Sequence, residues 1–198
     1  MQNWLALAII ALALIWIVRI YNNLVSYKTQ YKNGFEQISV QLKRRLDLIE
    51  NLVDIAKKYM EHEKETLMAV TNARSGLLQA TQAADKNPGD AALMANLQTT
   101  QATFEGALGG FNLKMEDYPD LKASENMLQL SEQMTSTENR IAAARQGYND
   151  LVQKFNEYKK SFPNVLFASS FGFGTDANNL EFSESVEELN KAPKNLFV

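Results

Sequence analysis

His62 is the only histidine in the chain, so any Ser/His or Cys/His arrangement would have to use it. It stands in Glu61-His62-Glu63-Lys64-Glu65-Thr66, which begins like H-E-x-x-H but has Thr66 where the second histidine must be. Two imidazoles one turn apart are what hold zinc on a helix face, and a single one does not. His62 therefore reads as an exposed residue in a charged helical turn. Gly106, Gly109 and Gly110 do not make a phosphate loop, because no strand precedes them and no Gly-Lys-Ser/Thr follows. Gly172-Phe173-Gly174 reads as a turn. Acidic residues are numerous, but they fall on solvent-facing helix positions, and no pair forms an acid/base dyad. The chain is not read as an enzyme, and no metal or cofactor is expected.

Four charged residues lie in or beside apolar helical seams: Arg45, Glu63, Glu138 and Arg145. A charge in a bundle seam is costly unless it is paired. Arg45 admits two readings. It makes a registry-setting ion pair with an acidic residue of the last long helix, Glu138 or Asp150, or it points to water where its own helix bends. Lipid contact by Lys43-Arg44-Arg45 is disfavoured. In a continuous helix this triplet lies roughly 35 Å from Arg19, well beyond the ~8 Å Debye length.

The elements that carry these residues read as helices throughout. The first stretch runs from about Ile20 to about Ala84. With Phe35 at heptad position a, the a positions are Phe35, Leu42, Ile49, Ala56, Glu63, Val70 and Leu77. Arg45 falls at d, and Leu46, Val53, Met60 and Leu67 fill e. This face is wider than a two-stranded seam and suits a bundle. Nothing in the stretch demands a break. Asn87-Pro88-Gly89-Asp90 punctuates the chain, with Pro suited to a first turn and Asn or Asp to a cap. A second stretch spans about Ala91 to Ala107, ended by Gly109-Gly110. A third spans about Leu121 to Ser161, with Met127, Leu130, Met134, Thr137, Ile141, Ala144, Tyr148, Leu151, Phe155 and Tyr158 as its seam. Glu138 and Arg145 lie at e beside that seam. Phe162-Pro163 closes it. From Asn164 on, Phe167, Phe171, Phe173, Phe182 and Phe197 are spread among Gly, Ser and Asn. That is too aromatic for disorder, so an ordered tail is expected, laying its rings on the bundle or on a neighbouring subunit. Ser183 to Leu189 reads as one short helix.

The first stretch is preceded, with no linker, by an unbroken apolar run from Trp4 to Val18. Fifteen residues at ~1.5 Å each span roughly 22 Å, short of the ~30 Å hydrocarbon core. Ile20 and Tyr21 extend the run, Arg19 can snorkel, and Trp4 and Trp16 suit the interfacial belts. A cleaved signal peptide would need a basic start and small residues at its cleavage site, and Met1-Gln2-Asn3 and Val18-Arg19-Ile20 provide neither. The run therefore reads as an uncleaved anchor. Arg19, Lys28 and Lys32 follow it and no Lys or Arg precedes it, which predicts an outside N-terminus and a cytoplasmic main domain. The boundaries expected are residues 1–20 for the anchor, 21–162 for the bundle and 163–198 for the tail. The fold class expected is all-α: a transmembrane helix continuous with a long-helix antiparallel bundle and an aromatic tail.

Composition agrees with this plan. About 175 residues after the anchor make one domain with room for a core. Twenty Lys and Arg against 23 Asp and Glu give a formal charge of −3, with no basic surface to suggest nucleic acid. There are no cysteines, which excludes disulfides, thiolate metal sites and a lipid anchor on Cys.

The chain resembles the LemA family of bacterial membrane-anchored proteins. The likeness rests first on Tyr21-Asn22-Asn23-Leu24-Val25, Gln37 to Arg45, Asp47 to Val53, Tyr59, His62-Glu63 and Ala73-Arg74-Ser75. It continues through Tyr118-Pro119-Asp120-Leu121-Lys122, Thr137 to Ala142, Tyr148-Asn149, Phe162-Pro163 and Phe171-Gly172-Phe173. Two departures stand out. Glu50 sits where the family commonly has Pro, which weakens a kink there, and Phe35 sits where Trp is usual. The resemblance implies a helical-bundle cytoplasmic domain behind one membrane helix, and no established chemistry. It also implies a possible partnership with membrane proteases of the HtpX type, near which members are often encoded.

Three functions fit. The first is a non-enzymatic scaffold that self-associates at the cytoplasmic membrane as a homo-oligomer, through Phe167, Phe171, Phe173 and Phe182 and with lipid around its anchor. The second is an adaptor for a membrane enzyme such as an HtpX-type protease. The third is a ligand-sensing bundle, ranked last because the chain ends at Val198 without a second span or an output domain.

Overall fold

The structure is a computed structural model and describes residues 2–182. The apolar run and the first seam form one helix, α1, Gln2–Ala56, about 82 Å long at 1.5 Å per residue. Among the described residues five further helices follow: α2 (Lys64–Lys86), α3 (Ala91–Met115), α4 (Pro119–Lys122), α5 (Glu125–Lys160) and α6 (Asn164–Ala168). No strand occurs among the described residues. The fold is all-α.

Burial divides α1 sharply. From Trp4, 80 % exposed, to Trp16, 53 % exposed, and on to Val18, its large apolar side chains face outward. Ile20 and Leu24 are buried, and from Tyr31 onward a buried stripe of Phe35, Ile38, Leu42, Leu46, Ile49 and Leu52 runs to Ala56. That stripe packs lengthwise on antiparallel α5, α2 packs on α3, and α1 touches α2 to join the pairs. Gly34 matters for the first pairing, since a Cβ there would stand 2.9 Å from Leu151 Cδ1 on α5.

The first stretch does not continue to Ala84. It breaks after Ala56, turns through 57–63 and reverses as α2. No Pro or Gly causes this. The chain turns on backbone bonds from Met60 N to Ala56 O, 2.8 Å, and from Glu63 N to Met60 O, 3.0 Å, with Met60 fully buried under the turn. The cause is tertiary. A straight helix would carry Leu67, Val70 and Leu77 past the end of α5, with nothing to pack on. The reversal buries all three. The turn also removes Glu63 from a continuing seam and makes it the N-cap residue of α2, with no side-chain capping bond.

Gly109-Gly110 does not end the second stretch either, because α3 runs through both to Met115. Leu108 and Phe111 are buried on either side of the pair, so packing offsets what the glycines cost in helix propensity. The turn at 87–90 forms as expected. Asp90 caps α3, accepting from the backbone N–H of Ala92 at 3.0 Å and of Leu93 at 3.1 Å. Gly89 has φ +87°, and a Cβ there would meet Ala177 Cβ at 3.0 Å. The third stretch is divided at Ala123-Ser124, where Ser124 caps α5 and α4 is a separate single turn. Glu50 lies inside unbroken helix.

The bundle thus has a four-helix part far from the apolar run and a narrower neck nearer to it. The neck consists of the start of the buried part of α1, the end of α5, α6 and the tail. Ser183 to Leu189 and Phe197 lie outside the described residues.

Candidate functional site

Two groups of polar side chains organise the bundle. The first centres on Arg45. The turn-by-turn repeat of α1 points it at the space between α3 and α5, and its side chain is only 3 % exposed. Its Nη2 donates to Glu105 Oε1 of α3 at 2.6 Å, and its Nε stands 2.6 Å from Glu138 Oε1 of α5. The second approach is a charge contact and not an aligned hydrogen bond. The guanidinium also lies 5.0 Å from the centre of the Phe104 ring. Gln101 Nε2 donates to the same Glu105 oxygen at 2.5 Å. One planar cation so holds three helices in register. Both carboxylates keep more than a third of their exposure, so only the cation bears a large desolvation cost.

Of the two acids considered for Arg45, Glu138 is the one reached, and Asp150 is exposed further along α5. Glu105, the hydrogen-bonded partner, carries no local sequence signal for this role. Gln101, Phe104 and Glu105 share one helical face, but the facing of α3 follows only from its packing on α2. Glu63 is partly buried, its carboxylate 3.4 Å from Lys114 Nζ of α3. Arg74 of α2 donates to the Leu46 carbonyl at 2.8 Å and to Glu50 at 2.5 Å, closing α2 on α1.

The second group is a ladder on α5 that straps down the tail. Asn156 donates to the Ala177 carbonyl at 2.8 Å and accepts from the Ala177 N–H at 3.0 Å. Two turns earlier Asn149 does the same to Leu180, at 3.1 and 2.9 Å. Each amide stands in for a strand partner and satisfies both polar groups of one tail residue. Tyr148 O–H donates to the Asn178 carbonyl at 2.9 Å, and Lys159 Nζ donates to the Thr175 carbonyl at 2.7 Å. Asn178 reaches back to the Gly89 carbonyl at 2.9 Å, tying the strap to the turn between α2 and α3. Arg145 ends the ladder, with Nη1 3.4 Å from the Phe182 carbonyl and its guanidinium 5.2 Å from the ring centre.

The four tail phenylalanines all lie against their own chain. Phe173 is buried, edge-on to Tyr21 at 6.2 Å and Phe155 at 6.3 Å, with Lys28 Nζ 5.3 Å from its centre. Phe171 meets Tyr21 at 5.4 Å and stacks on Phe167 at 6.2 Å. Phe167, Phe171 and Phe182 are half-buried on the core. Trp4, Trp16 and Arg19 are exposed along the apolar run.

The titrations follow this packing. Burial pushes the Tyr148 phenol far above its ordinary range, with Tyr31 nearby adding to the shift. Hydrogen bonds from Lys159 and then Lys160 hold the Asp176 carboxyl below its ordinary range. Both groups are occupied in holding the strap. His62 sits in the turn after α1 beside Glu61 and Lys64, lining an open groove. No group of three or more metal-ligating side chains occurs among the described residues. The arrangement can hold helices and a strap in place.

The sequence profile of the LemA family matches residues 34–197. The chain belongs to the LemA family. The matched region takes in the bundle and the strap and begins at Gly34, after the apolar run. Within the LemA proteins the chain is similar to "Protein LemA" of Metamycoplasma hominis (strain ATCC 23114), at 31 % identity over 135 residues. That alignment covers 68 % of this chain and 57 % of the relative, so the chain spans little more than half of the relative's length. Arg45, Glu105, Glu138, Asn149 and Asn156 all fall inside the part that the LemA profile covers.

Proposed function

We propose that this LemA-family chain is a non-catalytic helical platform, held upright on the cytoplasmic membrane with its bundle in the cytoplasm. It acts by presenting its faces to other proteins, further copies of itself first. The observation that carries this reading is α1. One helix is long and apolar enough to cross a membrane, and it passes without a break from outward-facing apolar residues to the buried stripe of the bundle. A helix needs a flexible joint to let a domain swing, and none exists between Val18 and Ile20. The bundle is then fixed in height and in its angle to the anchor helix, which suits assembly of identical units in one plane. The basic residues Arg19, Lys28 and Lys32, all on the bundle side, support the cytoplasmic placement.

Two measurements test this. Protease added to intact cells is expected to spare the bundle, and lysis to expose it. Cleavage in sealed cells would overturn the cytoplasmic placement. Light scattering in mild detergent is expected to find a homogeneous assembly of several copies. A monomer would overturn self-association and leave the adaptor reading, in which the platform serves a membrane enzyme such as an HtpX-type protease.

A further inference from the structure

We propose that the corner between α5 and α6 is a second membrane contact, an apolar foot of Phe162, Val165 and Leu166 that enters the bilayer interface beside the anchor. The proposal rests on reading α1 as a membrane helix. Its depth follows from the antiparallel register of α1 and α5. Asn23 donates to the Tyr158 hydroxyl at 3.0 Å, and Tyr27 meets the Tyr158 ring at 5.0 Å. Phe171, just past α6, meets Tyr21 at 5.4 Å. The corner between Tyr158 and Phe171 therefore lies level with the first residues after the apolar run.

That level is where the anchor falls short. Trp4 to Val18 supplies roughly 22 Å against a hydrocarbon core of ~30 Å. The missing ~8 Å corresponds to about five further residues of α1, from Arg19 on. Of the two residues that would extend the run, Tyr21 is 44 % exposed and supplies part of a ring, whereas Ile20 is 2 % exposed, covered by its own domain. On the covered side of α1, lipid at this depth meets the covering segment. That segment is two-sided in the sense required: α6 turns Asn164 and Ala168 inward, while Val165 and Leu166 face out. Phe162 is 81 % exposed and Leu166 63 %. A short apolar face of this kind sits about 5–10 Å into the boundary of headgroups and acyl chains. The strap leads the chain away from the foot to Phe182, beside Arg145. A single helix through a bilayer is free to spin and tilt. A foot beside it fixes both, so the bundle presents one defined side along the membrane.

Depth-dependent quenching tests this in the full-length protein. The native protein and three variants are reconstituted in phosphatidylcholine–phosphatidylglycerol vesicles brominated on the acyl chains. Each variant carries Trp4→Phe and Trp16→Phe together with one of Phe162→Trp, Leu166→Trp or Leu128→Trp. Leu128 is exposed at the start of α5, at the far end of the bundle. The tryptophans introduced at 162 and 166 are expected to lose emission to the brominated lipid as the native protein does, and the one at 128 to lose none. Circular dichroism identifies any variant that fails to fold, and the other foot position then decides. Quenching of the native protein without quenching at 162 or 166 overturns the foot and leaves the anchor standing. Shielding of those two positions from aqueous acrylamide without lipid quenching also overturns it, in favour of a protein contact. Absence of quenching in the native protein overturns the anchor, and the foot with it.

Discussion

Removal of the Arg45 guanidinium takes away the cation that Glu105 and Glu138 share. Arg45→Ala is expected to cost about 1.5–3 kcal/mol, the worth of hydrogen bonds to a charged group, because both acids are exposed enough to hydrate and no charge is left buried. Chemical denaturation of the fragment from Tyr21 onward measures this, and a loss under ~1 kcal/mol would show that the cation holds nothing. Asp176 gives a titratable handle on the strap. Its carboxyl is held below the ordinary range by Lys159 and Lys160, so the folded form releases its proton at lower pH than the unfolded form does. Its contribution is intact above the ordinary carboxylate range, about pH 4, and is lost as pH falls through the folded value. The protection of the Ala177 and Leu180 amides, their exchange measured against that of the unfolded peptide at the same pH, should fall on acidification, and Asp176→Asn should flatten that dependence. Equal acid sensitivity in the variant would assign the effect to other carboxylates.

At the scale of elements, α3 carries an internal handicap. Gly109 and Gly110 are helical, and a Cβ at either position would meet nothing within 4 Å. Alanine at each is expected to stabilise by about 0.5–1 kcal/mol, since it narrows the unfolded chain's freedom without new contacts. A rise in Tm for Gly109→Ala, Gly110→Ala together would show this, and a fall would mean that the pair is kept for flexibility or for a close partner. Gly89 is the opposite case. Its positive φ and its closeness to Ala177 make Gly89→Ala destabilising. The two kinds of glycine look alike in sequence. They differ in backbone and surroundings: Gly89 holds a positive φ against Ala177, while Gly109 and Gly110 lie within a helix that buried neighbours carry through.

For the whole molecule, the tail decides whether the neck is a self-sufficient unit. It lies along α5 and covers Tyr31 and Phe155, which meet each other at 5.2 Å, while Phe155 meets Phe173. Truncation after Phe162 is therefore expected to lower the stability of the monomer itself, with Tyr31 and Phe155 opened to water. Thermal unfolding followed by circular dichroism checks this. An unchanged Tm joined to loss of assembly would show that the tail works between subunits.

The apolar run, the wide seam of α1, the cleaner seam of α5 and the Asp90 cap were legible in the sequence because each is a local pattern. Hydrophobic period and cap chemistry are set within a turn or two of helix. The resemblance to the LemA family was legible for the same reason, since its motifs are short and ordered along the chain. The seam position of Arg45 was legible too, but it left two readings open, an ion pair or a side chain turned to water. What the tertiary structure alone decided was where helices stop and which faces meet. The break after Ala56 has no Pro or Gly to announce it and comes from the length of α5, which leaves Leu67 and Val70 nothing to pack on unless the chain reverses. The passage of α3 through Gly109-Gly110 comes from burial of Leu108 and Phe111. The choice of Glu105 and Glu138 around Arg45, and the pairing of Asn149 and Asn156 with tail residues more than twenty positions away, depend on how rigid helices are rotated against one another. No local signal carries that rotation. It is set by the sum of contacts along whole helix faces.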